Sequence, residues 1–244
     1  LNQSQLYTKE QMSLMNMPNW VKKTYAQYKR VVEEPGFPCF FGQKEERRGN
    51  VHYSYLCHND WVHLPTTLQE FISFTKTTGN ERSVFLLFVE PESKVQPFAY
   101  YRRYFWDVLT YLNRKDKEEW PVDIPTDPDH HLWSFCFASC PMFVFGNAPA
   151  YQKRRARNLG KSLVLGFQPR NIFKGLEGTL QQGREARDKI RKKAEKWDGI
   201  ATHPDVGYYG DPTHHEWKQF FISDDCEPIQ GKCPFQVSEM RDGK

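Results

Sequence analysis

The chain has 244 residues, 39% of them hydrophobic and 26% charged, enough for one large domain or two small ones. Its 34 basic and 30 acidic residues leave a formal charge of +4, too balanced to call for a nucleic acid partner. No apolar run approaches the ~18 residues of a membrane span, and the opening Leu1-Asn2-Gln3-Ser4 lacks the charged-then-apolar pattern of a signal peptide.

In chain order, residues 9–34 read as an amphipathic helix with Trp20, Tyr25, Tyr28 and Val32 as its apolar points, stopped by Pro35-Gly36. An aromatic-proline stretch, Phe37 to Phe41, follows. Residues 50–56 alternate apolar and polar as a strand does, and Asn59-Asp60 marks a turn. Thr66 and Gln69 have capping-box spacing ahead of Phe71, Ile72 and Phe74, which predicts a helix ending near Gly79. The run at 83–90, SVFLLFVE, predicts a strand buried on both faces. Pro97 opens a helix through Lys115 with Tyr101, Phe105, Val108, Leu109 and Leu112 on one face.

A Pro/Asp-rich loop covers 120–131. A β-hairpin is then expected from 133–137 and 142–145, a basic irregular stretch at 147–160, and a buried strand at 162–167. Residues 173–197 read as a long charged helix interrupted near Gly178 and Gly183, and the tail from Gly199 is rich in loops. Strands and helices mix without regular β-α alternation and no linker divides the chain. We therefore expect one α+β domain over 1–244, with a mixed or antiparallel central sheet flanked by helices.

The six cysteines, at 39, 57, 136, 140, 226 and 233, are sparse and follow no secreted-scaffold spacing, which predicts a reduced, cytoplasmic protein. Cys136 and Cys140 form a C-x3-C pair with no second pair at a zinc-site spacing. Cys39 and Cys233 each sit beside a proline and aromatic residues, in Phe37-Pro38-Cys39-Phe40-Phe41 and Cys233-Pro234-Phe235. Proline restricts the backbone there and the rings exclude water. Such a sulfur suits a thiolate ligand to haem iron, and equally an inert buried thiol.

The densest charge cluster, Lys153-Arg154-Arg155-Ala156-Arg157, carries guanidinium groups suited to carboxylate or phosphate. A haem propionate and a solvated or nucleic-acid-binding face are both open readings. His214-His215-Glu216 lacks the second histidine of a metalloprotease helix, since Gln219 stands there. No G-x-S-x-G, P-loop or G-x-G-x-x-G pattern is present. Asp205, in His203-Pro204-Asp205, and the loop Ser223-Asp224-Asp225 offer carboxylates that would receive a cationic substrate, or simply form turns.

Taken together, Phe37-Pro38-Cys39, the helix from Tyr104 to Leu109, the segment Phe143-Val144-Phe145-Gly146-Asn147-Ala148-Pro149, the arginines Arg154 and Arg157, and Cys233-Pro234-Phe235 resemble the YqcI/YcgG family over about residues 10 to 235. The branch is similar to Bacillus YqcI. Some members of that family are haem-dependent enzymes that hydroxylate or further oxidise nitrogen in arginine-like guanidines or in aminoimidazole. The resemblance therefore implies a haem b N-oxygenase acting on a small guanidine or amine with O2 and a reductant.

Carried over residue by residue, the resemblance makes Cys39 the first choice of iron ligand and Cys233 the reserve. Arg154 and Arg157 become propionate anchors, and Trp106 joins Phe37–Phe41 and Phe143–Phe145 as pocket wall. Glu216, which with Gln219 matches a recurrent acidic-then-amide pair, and Asp205 become the carboxylates for a guanidinium substrate. One departure stands out: Ala148-Pro149 occupies the place where characterised enzyme members tend to carry His-Pro. Two other expectations compete, a non-catalytic protein holding RNA or another anionic partner through residues 153–157, and a haem sensor or carrier.

Overall fold

The computed structural model describes residues 3–58, 60–79 and 82–235. A five-stranded mixed sheet in the order β1-β2-β5-β4-β3 forms its centre. The strands are β1 Val51–Leu56, β2 Val84–Val89, β3 Phe135–Phe137, β4 Cys140–Asn147 and β5 Val164–Pro169. β1 and β2 run parallel, and the remaining pairs are antiparallel. A parallel pair needs a long crossover, here supplied by helix α4, Leu64–Thr78. The α+β class with a mixed sheet is thus the one the sequence predicts.

Alternation along the strands builds two cores. In β2, Phe85, Leu87 and Val89 point into one core and Val84, Leu86 and Phe88 into the other, because successive side chains leave a strand on opposite faces. The first core packs under α4 and α5, Phe98–Lys115, which contributes Tyr101, Phe105, Trp106, Val108, Leu109 and Leu112. The second packs under α2, Asn19–Val32, through Val21, Tyr25, Tyr28 and Val32. With both faces covered, all six residues of β2 are buried.

The opening helix is two helices. α1 is Lys9–Leu14, with a capping box made by Thr8 and Gln11, and α2 starts after Pro18. A proline disfavours helical backbone in the residue before it, and Met15 is already extended. The Thr66–Gln69 spacing does not cap α4, whose N-cap is His63. The aromatic-proline stretch leads into α3, Phe40–Arg48, a helix the sequence reading missed. The charged helix expected at 173–197 resolves into a 3-10 turn at Arg170–Phe173 and α6, Gln181–Asp198. α7, Glu216–Phe220, was also missed. The turn expected at Asn59-Asp60 lies partly outside the described residues, and Cys57 pairs with Asp60 in an isolated bridge.

The β3–β4 hairpin turns on Ala138 and Ser139, both at positive φ, 50° and 53°. That backbone is strained for residues other than glycine. It is held by Asp116, just past the end of α5, which accepts from the Ala138 N–H at 2.9 Å, and by Ser139 Oγ donating to the Glu119 carbonyl. None of the described helices is long and apolar enough to cross a membrane.

Candidate functional site

The face of β4 that carries Phe143 and Phe145 is only partly buried, while Met142 and Val144 on its other face are fully enclosed. The two rings lie 6.3 Å apart. Phe145 packs into the core beneath α2, lying across Gly166 of β5, where a Cβ would collide with the ring. Phe143 stands edge-on to Phe220 and Phe173, at 5.5 and 6.0 Å. A strip of aromatic rings therefore runs along β4. Cys39 and Arg157 lie toward its Phe145 end, and Glu216 and Arg170 toward its Phe143 end.

At the first end, Cys39 is the N-cap of α3. Its Sγ accepts the Gly42 N–H at 3.3 Å, in the place where helix N–H groups favour negative charge. Half-buried, it packs into the same core as Phe37, Phe145 and Trp197. Burial holds the thiol pKa above its usual value, and the Gly42 N–H and the Arg157 cation offset only part of that rise. Arg157, partly buried, makes one long hydrogen bond, Nη1 to the Gly146 carbonyl at 3.5 Å. Burial lowers its pKa, opposed by Tyr151 and Asp198. Among the described residues no carboxylate lies within salt-bridge distance of it. Asn147, which alternates onto the same β4 face as Phe145, is 4% exposed and its Nδ2 has no partner.

The rest of the basic cluster is turned inward. Arg154, 4% exposed, donates to the carbonyls of Ser223, Ala201 and Asp225 at 3.1, 3.1 and 2.5 Å and to Cys226 Sγ. Asp224 collects the consecutive backbone N–H groups of Gln152, Lys153 and Arg154. Arg155 donates to the Trp197 carbonyl, and Asp198 accepts the Ala156 N–H at 2.8 Å. Arg154 thus joins this loop to the tail, its guanidinium already occupied, and three of the four cations of residues 153–157 make internal hydrogen bonds.

At the other end, Glu216 is 3% exposed. Its Oε1 accepts from Arg170 Nη1, and its Oε2 has no partner. Burial raises its pKa, against the opposing pull of Arg170. The Arg170 guanidinium lies 3.5 Å from the centre of the Tyr209 ring and donates to Ser134 Oγ at 3.3 Å. Stacking on an aromatic face while meeting a carboxylate edge is the recognition geometry of a guanidinium. Gln219 accepts the Gly207 N–H and ties the preceding loop to α7.

The remaining candidates lie apart from Cys39. Trp106 and Cys233 belong to the core on the opposite side of the sheet. Trp106 stacks on Phe220 at 6.1 Å, and burial drives the Cys233 thiol pKa up to about 12. Asp205 accepts the Ile229 N–H at 2.7 Å and lies 3.6 Å from His203 Nδ1. That nitrogen accepts the Asp205 N–H, which leaves Nε2–H to donate to Ser223 Oγ at 2.7 Å. Ser223 in turn donates to Asp225 at 2.8 Å. The hydroxyl proton points away from the imidazole, the wrong polarity for an activated serine.

Sequence reading missed Arg170, Tyr209, Ser134 and Asn147. Arg170 carried a usable signal, since it directly follows a buried strand that ends in Pro169. Ser134 and Tyr209 carried none, because only tertiary contact brings them to Glu216.

The YqcI/YcgG family pattern matches residues 28–236. The chain is 31% identical over 240 residues to YcgG of Bacillus subtilis, covering 94% of each. It is 30% identical over 242 residues to YqcI of the same organism, covering 95% of this chain and 94% of that one. Neither name states an activity. A third relative, from Streptomyces lavendulae, carries the provisional name N(omega)-hydroxy-L-arginine synthase DcsA. It is 26% identical over 239 residues, covering 95% of this chain and 89% of its own. No solved structure matches significantly.

Proposed function

Because the chain belongs to the YqcI/YcgG family, we propose that it is an N-oxygenase that hydroxylates a guanidine nitrogen of a small arginine-like substrate, with O2 as oxidant and haem b as cofactor. The name of the Streptomyces relative supports the guanidine chemistry. The observation that carries the reading is the pairing of Cys39 with Arg157 at one end of the β4 aromatic strip. The Cys39 sulfur receives a helix-terminal N–H, and Arg157 lends it a favourable charge that offsets part of the burial which otherwise keeps it a thiol, so iron would complete its conversion to a thiolate. A guanidinium without a carboxylate partner suits a propionate. These residues fit the cofactor's two anionic demands.

Haem held by a thiolate would supply O2 activation, since the ligand's electron donation favours O–O cleavage. The chain's own residues supply the rest. Cys39 would hold the iron, the Gly42 N–H would steady its charge, and Arg157 would hold a propionate. Phe143 and Phe145 would flank the macrocycle and exclude water. Glu216, whose Oε1 already accepts a guanidinium from Arg170, has a buried Oε2 without a partner, which a substrate guanidinium would satisfy once admitted to this enclosed end. It would orient the substrate guanidine, and Arg170, stacked on the Tyr209 ring, would hold that carboxyl group in place.

The test is turnover. Haem-loaded protein, L-arginine and a reductant are incubated under isotopically labelled O2, and products are read by mass spectrometry. A hydroxyguanidine product with one labelled oxygen is expected. Reduced, haem-loaded protein that oxygenates neither arginine nor any of a panel of guanidines would overturn the reading.

A further inference from the structure

α6 has a single buried residue, Gly183, so it contributes little to the core. Its exposed side carries Lys189, Lys192, Lys193 and Lys196, spaced i, i+3, i+4 and i+7, which puts four like charges on one face. Such spacing is unfavourable for an isolated helix. Glu185 and Asp188 lie among these lysines on the same open helix surface. This face borders the Cys39 end of the molecule. Lys189 and Lys193 lie over the Phe40 ring, 5.6 and 5.7 Å from its centre, and Phe40 directly follows Cys39. The Phe41 ring lies beside it, tilted, at 4.4 Å.

N-hydroxylation replaces an N–H by N–OH. With O2 it consumes two electrons and two protons and releases the second oxygen atom as water. The proposed reaction therefore needs a source of two electrons, which a one-electron carrier protein would deliver singly. We propose that the lysine face of α6 is the docking surface for an acidic one-electron carrier protein. This rests on the N-oxygenase reading above. Complementary charge would steer the carrier to the surface and bring its redox centre to the Phe40 rim, one residue from the iron ligand. The interleaved Glu185 and Asp188 favour a protein over a nucleic acid. They would repel a phosphate backbone, whereas a protein partner can answer them with its own cations and so fix one register.

The test uses the full chain and a plant-type ferredoxin as the acidic carrier. Binding is measured by titration calorimetry at low and high ionic strength, for wild type and for the combined Lys189→Glu, Lys192→Glu, Lys193→Glu and Lys196→Glu variant. Wild type should bind at low salt and lose affinity as salt rises, and the reversal variant should bind at least ~10-fold more weakly. The same four positions changed to Gln should fall between, which guards against a folding artefact, with circular dichroism as the check. Reversal of Lys22 and Lys23, exposed on α2, should change nothing.

Equal binding by all variants would overturn the proposal. So would an RNA oligonucleotide that outcompetes the ferredoxin on the same face. The N-oxygenase reading fails separately, if the protein takes up no haem. The docking surface alone fails if haem is present and dithionite reduces it, while ferredoxin reduces wild type and the reversal variant at the same rate.

Discussion

The two ends of the β4 aromatic strip differ in how far the protein satisfies its own charges. At the Glu216 end a buried carboxylate has its cation: Arg170 bridges Glu216, Ser134 and the Tyr209 ring. At the Cys39 end, among the described residues, Arg157 has no carboxylate within salt-bridge distance, and the Cys39 sulfur accepts the Gly42 N–H. Burying an unpartnered charge is costly, and a fold that needed Arg157 only as glue would have treated it as it treats Arg154, which has four internal partners. The under-satisfied end is the one to which the proposed function assigns the cofactor. The satisfied end holds its geometry by itself and leaves one buried carboxylate oxygen without a partner.

The largest effect should come from Cys39→Ala, which removes the proposed iron ligand. Haem uptake by reconstitution should be lost or its spectrum converted to another ligand type. Cys233→Ala, on the opposite side of the sheet, should leave the spectrum unchanged, and the reverse outcome would exchange the two assignments.

Glu216→Ala comes next. It leaves the Arg170 guanidinium, 16% exposed, without its carboxylate and should cost about 3 kcal/mol of stability in urea titration. Glu216→Gln should cost less, since an amide oxygen still accepts from Arg170. A near-neutral Glu216→Ala would mean that this end is not self-satisfied.

Gly166→Ala sets a Cβ into the Phe145 ring and should cost about 1–3 kcal/mol by overpacking. The same change should weaken haem uptake, because Phe145 would have to leave the strip. Intact uptake would remove Phe145 from the pocket wall.

The smallest effect concerns pH. Burial, reinforced by the Arg154 cation, holds His203 below its usual pKa of 6.5. The fold therefore binds fewer protons than the unfolded chain once pH drops below that value. The contribution is complete above about pH 6.5 and is lost as pH falls. His52 and His63, also lowered by burial, act in the same direction. The melting temperature should fall on acidification, and His203→Gln should make that fall shallower. An unchanged slope would contradict the neutral assignment.

Much of the fold was legible because its strands obey local rules. SVFLLFVE reads as a doubly buried strand, and both faces of β2 are filled. The helix behind Pro97 carries its apolar stripe as expected. The misses have physical reasons. α3 was hidden because Pro38 and the aromatic run look like loop, although Cys39 serves there as an N-cap. The break between α1 and α2 was hidden because Met15 and Met17 continue an apolar pattern while Pro18 interrupts the backbone. At the site, Cys39 and Arg157 were legible as chemistry, though not as neighbours, being 118 positions apart in the chain. Trp106 stood as pocket wall only on what the resemblance implies, and helix periodicity places it in the core behind the sheet. The Arg170–Tyr209–Ser134 setting of Glu216 joins distant loops, and no local pattern encodes it.

The central claim, thiolate-held haem at Cys39, is tested most directly by the absorption spectrum of the haem-reconstituted protein, reduced and exposed to carbon monoxide. We predict a stoichiometric Soret band with the red shift of a thiolate-ligated carbonyl complex, absent in Cys39→Ala. A protein that takes up no haem, or a shifted band that persists in Cys39→Ala, would contradict the account.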